Sequence, residues 1–329
     1  MTGHSSASSG QPGPTPPART RLRTVRPDGT PVYCYDESSG VPPVGLISFD
    51  HTAIDGLPPD HRHAHDFLVL VYVERGAGSV RIDDVDHGLA DGEVIPIAPG
   101  RMLGGTDLDR LRDTRCWAVY FLPEAVLGPD QVPSPLTWHQ HPLLSAFAPL
   151  RGREIGGLGV PEAERPRWTA LFAELRDEFS DPGRTGFREA ASAILTRILV
   201  AVARLAASSG SETRTDPLLS RFFEIVERDF GQAISTRDVA AELGYTAGHL
   251  TTRVRELTGR TALDWITERR LTEARRLLAD TDLGFDAVAR RSGLGDAGYL
   301  GRRFRTRYGI TPLAWRRSQR WVDGAGPPT

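Results

Sequence analysis

The sequence predicts an α+β chain with two parts, a β-rich front half and an all-helical tail. Three observations carry this reading. Between about Val32 and Leu122 short apolar runs are broken by Gly, Pro and Asp, the pattern of a small antiparallel barrel or sandwich. Beyond about Pro166 the apolar residues recur at helical spacing instead. Charge is divided to match: Thr236 to Val322 holds 17 Arg against 10 acidic residues, and the remainder holds 23 Arg against 32. A net of +7 on the tail and −9 on the body is the asymmetry of a chain whose one end meets a polyanion.

Composition sets the outer limits. At 329 residues the chain can bury two separate cores. It has no lysine, so all 40 basic residues are arginine. Cys34 and Cys116 are too few for a disulfide framework. No apolar run is read as approaching the length of a bilayer span, and the first twenty residues lack an apolar leader core. A cytoplasmic protein with no membrane partner is expected.

Taken in order, residues 1–20 are rich in Ser, Gly and Pro and read as a disordered tail. Residues 21–150 hold the strands, among them "FLVLVYV" (Phe67 to Val73), "SVRI", "GEVIPIAPG" (Gly92 to Gly100) and "CWAVYF" (Cys116 to Phe121). Residues 151–207 hold two helices. Trp168, Leu171, Phe172, Leu175 and Phe179 form the stripe of the first, and Ile194, Leu195, Ile198, Leu199, Val202 and Leu205 that of the second. They either cap the barrel or, through Leu195, Ile198, Leu199 and Val202 near the 3.5-residue period, form the seam of a homodimer. Residues 208–216, "SSGSETRTD", read as a linker, 217–322 as a helical domain, and 323–329 as a disordered tail.

The helical domain contains a repeat. Val239, Ala240 and Gly244 match Val288, Ala289 and Gly293 at an offset of 49. After a one-residue insertion, Leu250, Val254, Gly259, Thr261, Leu263 and Trp265 match Leu300, Phe304, Gly309, Thr311, Leu313 and Trp315 at an offset of 50. Each copy has the layout of a helix-turn-helix, with a short helix, a Gly turn and a second helix opened by a polar cap. Thr246 caps Ala247 to Leu257, and Asp296 caps Ala297 to Tyr308. Leu250 and Val254, like Leu300 and Phe304, face inward. That leaves Gly248, Thr251, Thr252 and Arg255 free in the first copy, and Gly298, Gly301, Arg302 and Arg305 in the second. An apolar-periodic helix from about Ala262 to Leu278 joins the copies. About 26 Å long, it suits two recognition helices roughly one DNA turn apart.

From about Leu218 to Arg317 these residues resemble the AraC/XylS family of bacterial transcription regulators. "ADTDLGFDAVARRSGLGDAGYLGRRFRTRYGITPLAWRR" (Ala279 to Arg317) is the most diagnostic stretch. The resemblance implies double-stranded DNA as partner, with RNA polymerase as a further one if the protein activates. It implies base reading by Gly248, Thr251 and Thr252 and by Gly298 and Arg302. Arg302 is suited to bidentate pairing with guanine. Arg253, Arg255, Arg303 and Arg305 are expected on phosphate, setting register. The sequence departs from the family at Gly298 and Gly301, where serine is common. The second motif is therefore expected to act chiefly through Arg302 and backbone contacts.

The front half carries "DHRHAHDF" (Asp60 to Phe67), three histidines at alternate positions that share a strand face. The segment resembles the cupin fold, whose metal set is His-x-His, a Glu a few residues on, and a later His. Here Val69 and Leu70 stand in the Glu places, and Arg101, Met102 and Leu103 follow "GEVIPIAPG" where the later His belongs. No metal, no cofactor and no catalytic residue is therefore expected. By family resemblance such a barrel binds a small effector or serves as an interaction module. His63, His65, Tyr72 and Arg101 are the candidate effector contacts, or the histidines simply satisfy strand-end backbone groups. Two alternatives stay open: a metal-dependent cupin enzyme with a DNA-binding tail, and a barrel that only dimerises.

Overall fold

The computed structural model describes residues 20–25, 28–35, 43–49, 62–104, 113–127, 135–148, 157–208, 216–258, 260–308 and 310–322. The tails expected at 1–20 (apart from Thr20) and 323–329, most of the linker and His61 lie outside them.

Eleven strands among these residues make two sheets. The first runs in the order β1 (Thr20–Val25), β2 (Pro31–Tyr35), β4 (His63–His65), β9 (Met102–Leu103), β6 (Ser79–Ile82), β7 (Val85–Gly88). The second runs β11 (Leu158–Gly159), β8 (Glu93–Ile97), β5 (Leu68–Arg75), β10 (Arg115–Phe121), β3 (Val44–Phe49). All pairings are antiparallel except β2 with β4. Asp83 and Asp84, at φ 48° and 68°, make the two-residue turn between β6 and β7, which the twist of a hairpin favours.

The two-residue side-chain period sorts each central strand between two cores. Along β5, Val69 and Val73 face the first sheet and pack with Tyr35, Phe67, Ile82, Ile95, Ile97 and Tyr120. Leu68, Leu70 and Tyr72 point the other way, toward α1 (Arg165–Phe179) and α2 (Phe187–Ser208). At Gly45, opposite Tyr120 in the ladder, a Cβ would stand 2.2 Å from the Tyr120 ring, so the inter-sheet core needs glycine there.

The stripe expected for α1 is observed, with Trp168, Leu171, Phe172 and Leu175 buried. Two expectations for the second helix are corrected. By length and composition α2 is long and apolar enough to cross a membrane, because only Arg197 and Arg204 interrupt its apolar run over about five turns. Its buried face nevertheless packs in the same core as α1 and the sheet. The seam residues Leu195, Ile198, Leu199 and Val202 are at most 1% exposed inside that core, so they face their own chain and present nothing to a second copy.

The tail contains α3 (Pro217–Asp229), α4 (Thr236–Glu242), α5 (Ala247–Thr258), α6 (Ala262–Asp280), α7 (Phe285–Arg291), α8 (Ala297–Tyr308) and α9 (Pro312–Val322). Helix α6 serves two small cores. Ala262, Trp265 and Ile266 join Phe222, Val239, Leu250 and Val254, while Leu271, Ala274 and Leu278 join Val288, Leu300, Phe304 and Trp315. Gly244 and Gly293 both take φ +78° at the turns of the two motifs. A Cβ on Gly293 would also stand 2.3 Å from the Phe230 carbonyl.

Candidate nucleic-acid interface and barrel interior

Helices α5 and α8 begin where their caps dictate. His249 N donates to Thr246 Oγ1 at 3.2 Å, and Tyr299 N to Asp296 Oδ1 at 2.8 Å. The apolar pairs Leu250/Val254 and Leu300/Phe304 are completely buried. With that side committed, Gly248, Thr252 and Arg255 are exposed on α5 with Thr251 half-buried beside them. On α8, Gly298, Arg302 and Arg305 are exposed, with Gly301 half-buried. Each motif therefore presents one open face, and α6, at 19 residues about 28 Å long, separates the two.

The four backbone arginines divide into two pairs. Arg255 and Arg305 stand on the open faces. Arg253 is half-buried and spends its guanidinium on Glu256 at 2.8 Å, with Asp216 at 3.7 Å. Arg303 is half-buried and lies over the Tyr299 ring at 5.7 Å. Sequence spacing placed all four together; the difference comes from neighbours one turn away along each helix and, for Arg253, from Asp216 at the cap of α3.

Two features at this end were missed. Tyr245 and His249 are exposed and stack at 5.1 Å and 16° beside the start of α5, a polar-tipped aromatic surface next to the residues expected to read bases. The signal was an aromatic residue directly after the turn glycine. The other is a buried charge network. Glu268, only 3% exposed, accepts both Arg307 Nε contacts at 2.7 and 2.9 Å and Arg260 Nη2 at 3.0 Å. Burial alone would raise its carboxyl, but Arg307 and Arg260 outweigh that and hold it down at about 2. An acidic residue two positions past Ile266 in an apolar stripe was the available sign.

In the front half the four effector candidates separate. His63 and His65 share the inward face of β4, with ring centroids 5.9 Å apart, and Phe67 stacks on His65 at 4.8 Å. Burial pushes the His65 imidazole down to about 4, offset only in part by a backbone hydrogen bond at Phe67, so it is neutral at pH 7. Tyr72 is on the opposite side of the other sheet, stacked on Phe172 at 5.2 Å, and cannot share that surface. Arg101 is occupied by Asp83 at 3.0 Å. Val69 and Leu70, in the places of the cupin carboxylate, are core residues of β5. Among the described residues no three His, Cys, Asp or Glu side chains come together as a metal set.

Comparison with known proteins gives two family matches. Residues 49–126 match the AraC-like ligand binding domain, and residues 239–318 match a helix-turn-helix domain. Among curated proteins, the HTH-type transcriptional activator RhaR of Enterobacter sp. (strain 638) is 23% identical over 266 residues, 78% of this chain and 87% of that protein. The HTH-type transcriptional activator RhaS of Klebsiella pneumoniae (strain 342) is 28% identical over 255 residues, 76% of this chain and 85% of that protein. Among solved structures, unsaturated fatty acid bound wild-type ToxT from Vibrio cholerae covers 83% of this chain and 94% of its own at 11% identity, with a TM-score of 0.36.

Proposed function

Since the chain belongs to the AraC/XylS family of transcription regulators, with its ligand-binding and helix-turn-helix domains in that order, we propose that it binds an operator with both motifs at once under the control of a small effector. The observation that carries this is the pair of open faces on α5 and α8 at the two ends of one connector helix. In this reading Thr251 and Thr252 read base edges from α5, and Gly248 lets the backbone come close. On α8, Arg302 pairs with a guanine across the space left by Gly298. Arg255 and Arg305 neutralise phosphates and set register, with Arg253 and Arg303 in lesser roles.

The effector enters the interior between the sheets near His63 and His65. With its N–H toward the Phe67 backbone, the neutral His65 imidazole offers its other nitrogen as an acceptor to an uncharged polar group without bringing a buried charge. Binding biases how the front half holds the tail, a population shift between arrangements. The printed names of two relatives, both transcriptional activators, support activation, and on that reading the protein's further partner is RNA polymerase.

Selection of duplexes by the full chain from a random-sequence pool tests this reading. The expected result is a motif with two conserved blocks about one helical turn apart, one of them centred on a guanine that Arg302→Ala no longer selects. A pool that stays unenriched after repeated rounds at moderate ionic strength contradicts it.

A further inference from the structure

The two motifs close the ends of their second helices in different ways. In α5 the closure is internal. Thr258 Oγ1 donates to the Val254 carbonyl at 2.7 Å and accepts from Trp265 Nε1 at 2.9 Å, and Arg260 N reaches the same hydroxyl at 3.3 Å. Fifty positions on, the second motif has Tyr308; the hydroxyl that folds back in α8 is that of Thr306, onto the Arg302 carbonyl at 2.9 Å, two residues short of the helix end. The carbonyls at the end of α8 are met from the other end of the chain. Arg21 Nη2 donates to the Tyr308 carbonyl at 3.0 Å, and Arg23 donates to the Thr306 carbonyl through Nε at 2.9 Å and Nη2 at 2.6 Å.

Both arginines belong to β1, and the barrel fixes the second of them. Arg23 Nη1 donates to Asp66 Oδ2 at 2.6 Å, and the same oxygen accepts Arg307 Nη1 at 3.2 Å. Arg23 and Asp66 are each 14% exposed at the side chain, so these charge-assisted bonds form largely out of water. Arg307 in turn forks onto Glu268 of the connector.

We propose that the second recognition helix is completed by the barrel, with β1 acting as the C-terminal cap of α8. The last four carbonyls of any helix lack partners within it, and cations are favourable at that end. Helix α8 needs the help more than α5 does, because beside Gly298, which Gly248 matches in α5, it carries a second glycine, Gly301, in its first two turns. Neither position requires a positive φ, so both glycines only lower helix propensity. The first motif is thus self-sufficient. The second presents an ordered face only while β1 and β4 are docked. The contact stands independently of the operator-binding reading; its consequence for DNA rests on that reading.

Amide hydrogen exchange on the full chain, with no duplex present, tests the cap. In Arg21→Ala/Arg23→Ala, protection at Phe304 to Tyr308 is expected to fall at least tenfold, about 1.4 kcal/mol, while Val254 to Thr258 in α5 is unchanged. Adding Gly298→Ala/Gly301→Ala to that variant is expected to restore most of the loss. A Cβ at 301 meets nothing within 4 Å, and one at 298 meets only the side-chain ends of Asp296 and Arg302. In case the double variant disturbs the barrel itself, Asp66→Asn leaves both β1 arginines in place and removes the carboxylate that aligns Arg23 and also meets Arg307, with a loss of about threefold expected at the same amides. Unchanged protection of α8 in both variants, or equal loss in α5 and α8 in both, overturns the proposal. A failure to bind any operator leaves the exchange result untouched, so the two readings fail separately.

Discussion

Arg302 and Arg305 lie three residues apart on the exposed side of α8, and the proposed reading gives them different tasks. Replacing Arg302 with alanine is expected to relax discrimination at one base pair, at a cost of about 1–3 kcal/mol for the preferred base. Arg305→Ala is expected to weaken all sequences alike and to lower the slope of log affinity on log salt by about 1. Titrations of a preferred and a mismatched duplex at several salt concentrations separate the two; identical effects from both variants would refute the assignment. Glu268 is a matter of stability rather than reading. Its folded-state carboxyl is depressed to about 2, so the stability it contributes is present above the ordinary glutamate range and is lost as pH falls from there through about 2. Glu268→Gln is expected to cost about 3–5 kcal/mol at pH 7, since Arg307 and Arg260 lose a buried partner. Denaturant unfolding across that pH range checks it: the gap between the parent and Glu268→Gln closes on acidification, and a gap independent of pH contradicts the assignment.

At the scale of elements, the reading helices were legible because caps, turn glycine and apolar pair all act locally. The ends inferred for α8, Ala297 and Tyr308, are those observed, and α5 runs one residue past Leu257. The connector proved two residues longer than Leu278, because Asp280 continues its charged face through Arg276. What the sequence could not give was which neighbour a face meets. The alternation in β5 identifies two faces without saying that Tyr72 meets α1 and Val73 the other sheet. For the same reason the stripe of α2 was compatible with either a dimer seam or an intrachain core. The structure buries it, and Leu199→Ala is expected to cost about 2–5 kcal/mol as a core cavity. Thermal unfolding over a hundredfold range of protein concentration distinguishes the two. A loss that stays constant with concentration fits a core residue, whereas a loss that grows on dilution would return Leu199 to a subunit interface.

The whole molecule is organised by its charge division, and the sequence showed the division without the docking. The asymmetry between acidic body and basic tail was visible from composition. Its internal use was not, because Asp66 and Arg307 are 241 positions apart and Glu124 and Arg275 are 151 apart, distances over which a single sequence carries no pairing signal. Part of the basic tail therefore holds the barrel, leaving Arg255, Arg302 and Arg305 on the open faces for a polyanion. The central claim is that α5 and α8 engage one duplex from one side, as their places along α6 allow. The most direct measurement is binding of the full chain to its selected duplex with about five extra base pairs, roughly half a helical turn, inserted between the two blocks. The insertion is expected to abolish simultaneous protection of both blocks and to cut affinity to that of a single block. Undiminished affinity with both blocks still protected would contradict the claim.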